Sequence, residues 1–464
     1  MALNILQAKQ QIEHAVRAYL AVDEQGYSRI PQRMQRPIVM FGPPGVGKTA
    51  VVEQVADELD INFVAYSITH HTRQSALGLP YISHEEFDGR DYQVSDYTMS
   101  EIIAAVHRAR KESGVAEGIL FLDEVNCVSE TLAPAMLQFL QYKTFGMHHL
   151  PEGWIIVCAG NPPEYNRSAR EFDPAMLDRI KRIDVEPDLA VWQEYALRVR
   201  IHPAITTFLD AKPKSFYQVQ ADVSGPHLVT ARGWEDLARI ISTYEAEGLP
   251  VDADLVRQYL QDDQVAQEFF AYYELFKKYQ DDYKVAQIVE GNADAALIDR
   301  AGQASFDERV ALVGLLIDAV LGRVHDMAQT QESLERTRAD LADATLSEEE
   351  KAAFNARVDE YADQSAAAMA SIDYAFAFLD QAFGSDSQEA LIMVTKLSAD
   401  PQLVRAVAAH GSDAYLAHNK NLLLSERNLD LLSRIDDMLE GNRVDSNSGS
   451  ADSNKSDSAD EGIA

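Results

Sequence analysis

The sequence has no run of about 18 apolar residues, the length a helix needs to cross a bilayer. It is poor in cysteine, with two among 464 residues, and poor in positive charge, with 41 Lys and Arg against 74 Asp and Glu. Each shortage excludes something. Without a long apolar run, no membrane-spanning helix is expected. Cys127 and Cys158 lie in or beside apolar segments and belong to no CxxC or Cys/His cluster. They are therefore read as small buried core residues rather than as a disulfide or a zinc site. A formal charge of −33 repels nucleic-acid backbones and anionic lipid. It suits a basic or metal-dependent partner, or simply a soluble surface. The N-terminal stretch MALNILQAKQQIEHAVRAYL has neither the basic start nor the continuous apolar core of a signal peptide. Together these features predict a cytoplasmic protein.

What is present is ordinary globular composition, 46% hydrophobic and 25% charged, in a chain too long for one core. Residues 5–20 carry helical periodicity through Ile5, Ala8, Ile12, Ala15, Val16 and Tyr19. A polar connector with Pro31 follows over 21–36. Short apolar strands are then predicted at Ile38–Phe41, Ile61–Tyr66, Gly118–Leu122, Trp154–Ala159 and Ile180–Val185, with helices near 47–59, 98–112 and 130–142. Continuous apolar strands alternating with helices imply a parallel sheet covered on both faces. Residues 64–97 read as one unusually long connection, containing His70, His71, Gln74 and several aromatics. From about 188 the strand signal disappears. Val191–Val199, Pro203–Leu209 and Trp234–Glu247 read as helices, as does nearly everything over 251–442, including the Ala-rich Ala366–Phe383. No internal repeat is visible. The Ser/Asp/Asn-rich tail 443–464 is expected to be disordered.

The chemistry begins at Gly42, Pro43, Pro44, Gly45, Val46, Gly47, Lys48, Thr49 and Ala50, which follow one strand and open the next helix. Glycines let backbone amides turn inward around phosphate oxygens, and the helix N-terminus adds partial positive charge. In this pattern the Lys48 ammonium reaches the β- and γ-phosphates of a nucleotide, and the Thr49 hydroxyl ligates Mg²⁺.

Ile119–Leu122 then delivers Asp123 and Glu124 at the end of a buried strand, the edge where ligands bind in an open α/β sheet. Asp123 is expected to hold the Mg²⁺ through water and Glu124 to act as general base on the attacking water. An adjacent Asp-Glu pair favours hydrolysis over transfer to a bound acceptor, so ATP with Mg²⁺ is the expected ligand and an ATPase the expected enzyme. The His pairs 70/71 and 148/149 lack a carboxylate or Cys at ligand spacing and are not expected to bind metal.

GPPGVGKT, FLDEVN and the Ala159-Gly160-Asn161-Pro162 that ends the next strand resemble an AAA+ ATPase. The resemblance implies that Asn161 is sensor 1, orienting the attacking water. Leu177-Asp178-Arg179-Ile180-Lys181-Arg182 is similar to the segment that carries arginine fingers, with Arg179 the first choice and Arg182 the second. A surface pairing with Asp178 or Asp184 is the competing reading for both. Thr230-Ala231-Arg232 resembles the start of the sensor 2 helix, which makes Arg232 the residue that touches the γ-phosphate from a helical lid. A cation in a first helical turn opposes the helix dipole, which independently favours an anionic partner there.

Asn161–Asp188 and the KTFGMHHLPEG stretch (Lys143–Gly153) are similar to the MoxR branch. The chain departs from that branch's Gly-Thr-Tyr-Pro segment at Asn166–Ala169, and from its Phe at Ile180. The resemblance spans about 36–250. It implies an α/β P-loop AAA+ core, a parallel sheet with helices on both faces, followed by an α-helical lid and an all-α C-terminal region. The expected segments are 1–35 for the N-terminal helix and connector, 36–187 for the nucleotide-binding domain, 188–250 for the lid, 251–442 for the C-terminal helices and 443–464 for the tail. It further implies a homo-oligomeric ring, a hexamer, with ATP between subunits, and chaperone-like remodelling of a client protein with a von Willebrand factor A domain protein as partner. The 64–97 insert is then either pore- or substrate-facing or a solvated loop. A nucleic-acid motor and a nucleotide-switched scaffold with little hydrolysis stand as alternatives.

Overall fold

The computed structural model describes residues 2–70, 78–166, 168–222, 225–340 and 348–420. His71, Gln74, Arg167, residues 421–442 and the tail 443–464 lie outside them. The chain divides into two compact units, Met1–Glu274 and Leu275–Ala464.

The first unit is built on a five-stranded parallel sheet. Its strands are β1 (Ile38–Phe41), β2 (Asn62–Ser67), β5 (Gly118–Asp123), β8 (Trp154–Gly160) and β9 (Lys181–Asp184), in the order β2-β5-β8-β1-β9. Because side chains alternate across a strand, one continuous apolar sequence feeds two cores. Ile119 and Phe121 of β5 pack with Ile155 and Val157 of β8 and with Ile38 and Met40 of β1 on one face. Leu120 and Leu122, with Ile156, Cys158 and Val39, pack on the other. Helices α1 (Ile5–Leu20) and α2 (Lys48–Glu58) cover the first face through Ile12, Val16, Val52 and Val55. Helices α3 (Glu101–Ser113) and α4 (Ala133–Tyr142) cover the second through Ile102, Val106, Met136 and Phe139.

The N-terminal segment belongs to this sheet. Asn4 caps α1 with a reciprocal box to Gln7. Just before it, the Leu3 N–H donates to the Asp184 carbonyl at 2.8 Å and the Leu3 carbonyl accepts from Glu186 N–H at 2.9 Å. Leu3 thus adds a bridge beyond the end of the edge strand β9.

Two hairpins were not legible as strands. The long 64–97 connection contains β3 (Pro80–Phe87) and β4 (Arg90–Tyr97), paired antiparallel. Tyr81, Ile82, Phe87 and Tyr92 are all exposed, so no buried face imposes the alternation that marks a strand. The turn is Asp88-Gly89 with φ of 52° and 73°, the two-residue turn that Asp-Gly favours. The second hairpin, β10 (Gln218–Asp222) and β11 (Gly225–Val229), lies where only helices were expected. In chain order α5 (Pro174–Leu177), α6 (Leu189–Arg198) and α7 (Pro203–Ala211) precede it, and α8 (Ala231–Ala246), α9 (Ala253–Tyr259) and α10 (Asp263–Tyr283) follow.

A third, short hairpin, β6 (Thr144–Phe145) and β7 (His148–His149), stands between α4 and β8. Its base is clamped by the connector 32–35. The buried Lys143 Nζ donates to the carbonyls of Gln32 and Gln35, while the Gln32 amide donates to the carbonyls of Leu150 and Pro151.

The second unit is helical. Here α11 (Val285–Ile288) and α12 (Ala295–Gln303) precede two long helices, α13 (Phe306–Asp340) and α14 (Glu348–Phe383), and α15 (Gln388–Ser398) and α16 (Pro401–His410) follow. Leu312, Leu316, Val320 and Val324 of α13 are buried at helical spacing, as are Ala368, Ile372, Phe376 and Leu379 of α14. Among the described residues no helix is long and apolar enough to cross a membrane.

Burial pushes the pKa of Lys143 down to about 8. Below pH 8 both folded and unfolded chains bind its proton. From there up to the ordinary lysine range the unfolded chain binds more, so stability rises with pH as the burial penalty is relieved. Lys143→Met removes this titration. The wild-type-minus-variant difference in unfolding free energy is therefore expected to climb between pH 8 and 9.5, by at most about 1.4 kcal/mol per pH unit. Urea denaturation read at each pH checks it; a pH-independent difference contradicts the assignment.

Candidate nucleotide-binding site

Three sequence-distant motifs meet because β5, β8 and β1 are consecutive neighbours in a parallel sheet. Their carboxyl ends lie along one edge: β5 ends at Asp123, β8 leads into Asn161 and β1 into the Gly42–Gly47 loop. From β1 the chain turns through Gly42–Gly47 into α2. Gly45 and Gly47 have φ of 73° and 89°, which other residues adopt only under strain. Gly42 must be small for another reason. A Cβ there would lie 2.7 Å from the Val185 carbonyl oxygen at the end of β9.

Lys48 is buried in the first turn of α2. Its Nζ donates to the carbonyls of Gly42 (2.9 Å) and Pro43 (2.8 Å) and to Oδ1 of Asn161 (2.8 Å). Burial lowers its pKa to about 8; the charge of Asp123 opposes the fall and that of Arg232 adds to it. The Arg232 charge is thus close enough to be felt at the ammonium.

Asp123 is partly buried at the end of β5, and its Oδ1 accepts from the Glu124 N–H at 2.8 Å. No ion pair engages it among the described residues. Asp123 at the end of β5 and the Thr49 hydroxyl at the start of α2 are hard oxygen donors of the kind a magnesium ion takes, so these are the two side chains that would hold one. Glu124 occupies left-handed backbone space, with φ of 56°. Its Oε2 accepts from the Thr69 Oγ1 at 2.8 Å, a residue that follows β2, the neighbour of β5. Asn126, buried in the turn after Glu124, donates from Nδ2 to the carbonyl of Asn161 at 2.8 Å.

The lid reaches the loop from the other side. Thr230 caps α8, accepting from Gly233 N–H, and a Cβ on Gly45 would lie 2.8 Å from its Cβ and Oγ1. The Arg232 N–H donates to the Gly45 carbonyl at 3.3 Å, and the Tyr217 hydroxyl donates to that of Pro44. Val46 is buried in the α1/α2 core, while Ala50 is exposed on α2.

The two arginines that follow α5 differ. Arg179 is exposed, and its Nη1 donates to the Ala175 carbonyl at 2.8 Å. Arg182 donates from Nε to both carboxylate oxygens of Asp184, at 2.8 and 3.1 Å, and stacks over Phe41. Neither bonds to the P-loop of its own chain. His148 Nε2 meets the Tyr97 carbonyl at 3.0 Å. Among the described residues no group of three or more His, Cys, Asp and Glu could hold a metal.

Residues 38–187 match the model of the family described as ATPase family associated with various cellular activities (AAA). The chain carries an AAA domain. The match runs from the first residue of β1 to just past β9, so it contains the whole sheet. The helical lid lies C-terminal to this AAA domain, and an AAA+ ATPase is what the domain supports.

Four contributors to this geometry were not singled out in the sequence: Thr69, Asn126, Tyr217 and the Thr230 side chain. Thr230 carried a legible sign, a Thr three residues before Gly233 at a helix start. Asn126 lay at the end of the FLDEVN stretch with no role marked for it, and Thr69 and Tyr217 have no local signature.

Gly45→Ala adds left-handed strain and a clash with Thr230, about 1–3 kcal/mol in all. The expected result is a lower melting temperature and weaker nucleotide binding. Adding Thr230→Gly relieves the clash at little capping cost and should recover part of the melting temperature. Thermal melting with fluorescent-nucleotide titration tests this; an unperturbed Gly45→Ala protein would show that the lid does not contact the loop.

Proposed function

We propose that the protein is a MoxR-like AAA+ ATPase that works as a ring, a hexamer, and remodels client proteins. The observation that carries the reading is Lys48, which bonds to Asn161 within an edge that also holds Asp123, Thr49 and Glu124. A triphosphate seated on the Gly42–Thr49 amides meets the Lys48 ammonium at its outer phosphates. Glu124 takes a proton from the attacking water, and the Asn161 amide orients that water. Mg²⁺, when bound, neutralises phosphate charge. Arg232 contacts the γ-phosphate from the lid, so loss of that phosphate changes how Tyr217, Thr230 and Arg232 grip the loop.

Arg179 completes the neighbouring subunit's site. Both are exposed, and what supports it over Arg182 is its freedom from the carboxylate that engages Arg182. An arginine fork grips phosphate oxygens without change of charge, which suits a residue acting in trans. The acidic surface is compatible with a partner that binds through a divalent ion, as a von Willebrand factor A domain does, and unfavourable to DNA or RNA.

Glu124→Gln should bind ATP normally and lose turnover by about 10²–10⁴-fold. Lys48→Ala and Arg179→Ala should each be inactive alone. Mixed, they should regain turnover, because one interface in the mixed ring combines an intact P-loop with an intact arginine. Steady-state phosphate release, with and without single-stranded DNA or RNA, reads all of this. Unchanged turnover in Glu124→Gln defeats the motor reading, strong nucleic-acid stimulation defeats the client reading, and no recovery in mixed rings defeats Arg179.

A further inference from the structure

We infer that Asn126 is a positioning residue that holds the Asn161 amide and the Glu124 carboxylate in register and ties both to the segment leading to Arg179. The inference rests on the ATPase reading above and adds to it a residue that touches neither nucleotide nor water.

The argument starts where the sheet stops. Strand β8 ends at Gly160, and the residue after Asn161 is Pro162, which has no N–H. The Gly160 carbonyl is still engaged, by Gly42 N–H at 3.3 Å. The Asn161 carbonyl lies beyond the last strand pairing, and the bond it receives comes from Asn126 Nδ2. That side chain is buried, so its amide is aimed by packing rather than by water. The fit is close on its other side as well. A Cβ placed on Gly160 would lie 2.5 Å from Asn126 Oδ1. The backbone of the same turn makes two further ties. Val125 N–H donates to the Ala159 carbonyl at 3.0 Å, and the Asn126 carbonyl accepts from Arg170 N–H at 2.9 Å. Arg170 is three residues ahead of Asp173, the cap of α5, after which comes Arg179.

The turn after Glu124 is therefore joined to Ala159, two residues before Asn161, to Asn161 itself and to the segment ahead of Arg179. Glu124 is two residues from Asn126 and sits in left-handed space that the surrounding bonds must maintain. If the Asn126 amide is lost, the Asn161 peptide is free to rotate, and the side chain that orients water moves with it. Lys48 keeps its two bonds to the Gly42 and Pro43 carbonyls, so the loop itself stays formed. Positional errors of this size act on the chemical step more than on binding.

Asn126→Asp tests this with almost no change of volume. It replaces the donor by a carboxylate oxygen facing the Asn161 carbonyl. Turnover should fall by about 10²-fold, while ATP KM and the affinity for a fluorescent nucleotide stay within about twofold. Gly160→Ala, approaching the amide from the opposite side, is the second variant should Asn126→Asp fold poorly, and it should give the same split. Wild-type turnover in either folded variant overturns the inference. So does a joint loss of turnover, nucleotide affinity and melting temperature, which marks a merely structural role. Glu124→Gln is run alongside: if its ATP turnover equals the wild type's, the catalytic reading of this site fails and takes this inference with it, whereas an inactive Glu124→Gln beside an active Asn126→Asp sinks the inference alone.

Discussion

The Lys48 ammonium is a buried cation, and the site is arranged around its needs. A buried charge is tolerable only when it is paired or fully hydrogen-bonded. Here two loop carbonyls and the Asn161 side chain supply the bonds, and Asp123 supplies the opposing charge. These partners come from three different strand ends. Any displacement of β8 relative to β1 would strip the lysine of a partner, so the register between those strands and the solvation of one amine are the same requirement. Burial still lowers its pKa to about 8, and the Arg232 charge adds to the fall.

The two-faced sheet makes this arrangement rigid. Alternate residues of β5 and β8 serve separate cores, one under α1 and α2, the other under α3 and α4. The strands cannot slip by one residue without turning each apolar set toward the wrong helices. The N-terminal segment strengthens the sheet edge through Leu3, and it brings α1 beside α2, whose first turn holds Lys48. The connector that follows α1 then clamps the β6–β7 hairpin through Lys143, so a single N-terminal stretch braces both the sheet and the hairpin ahead of β8.

How much of this was legible follows from the range of the forces involved. The central strands β1, β5 and β8 were readable because continuous burial leaves continuous apolar sequence. The hairpin β3–β4 was not, since exposure of both faces removes the periodic signal. Its Asp88-Gly89 turn was nonetheless a readable mark. In the site, Gly42–Thr49 was legible as one unbroken segment, and Asp123–Glu124 by its place at a strand end. Arg182 illustrates the limit. Sequence offered Asp184 as a competing partner, and the fold engages it.

The sequence alone determined the glycine-rich Gly42–Thr49 loop between strand and helix and the succession of buried strands, because each rests on neighbours within a few residues. Only the tertiary structure decided which side chains support the loop and the carboxylates. Thr69 meets Glu124 across 55 residues, Asn126 meets the Asn161 backbone across 35, and Tyr217 meets Pro44 across 173. Contacts over such separations leave no spacing in the chain to read. They exist because parallel strands bring their carboxyl ends to one edge, and because buried polar groups gathered there must find partners in whatever segment the fold delivers.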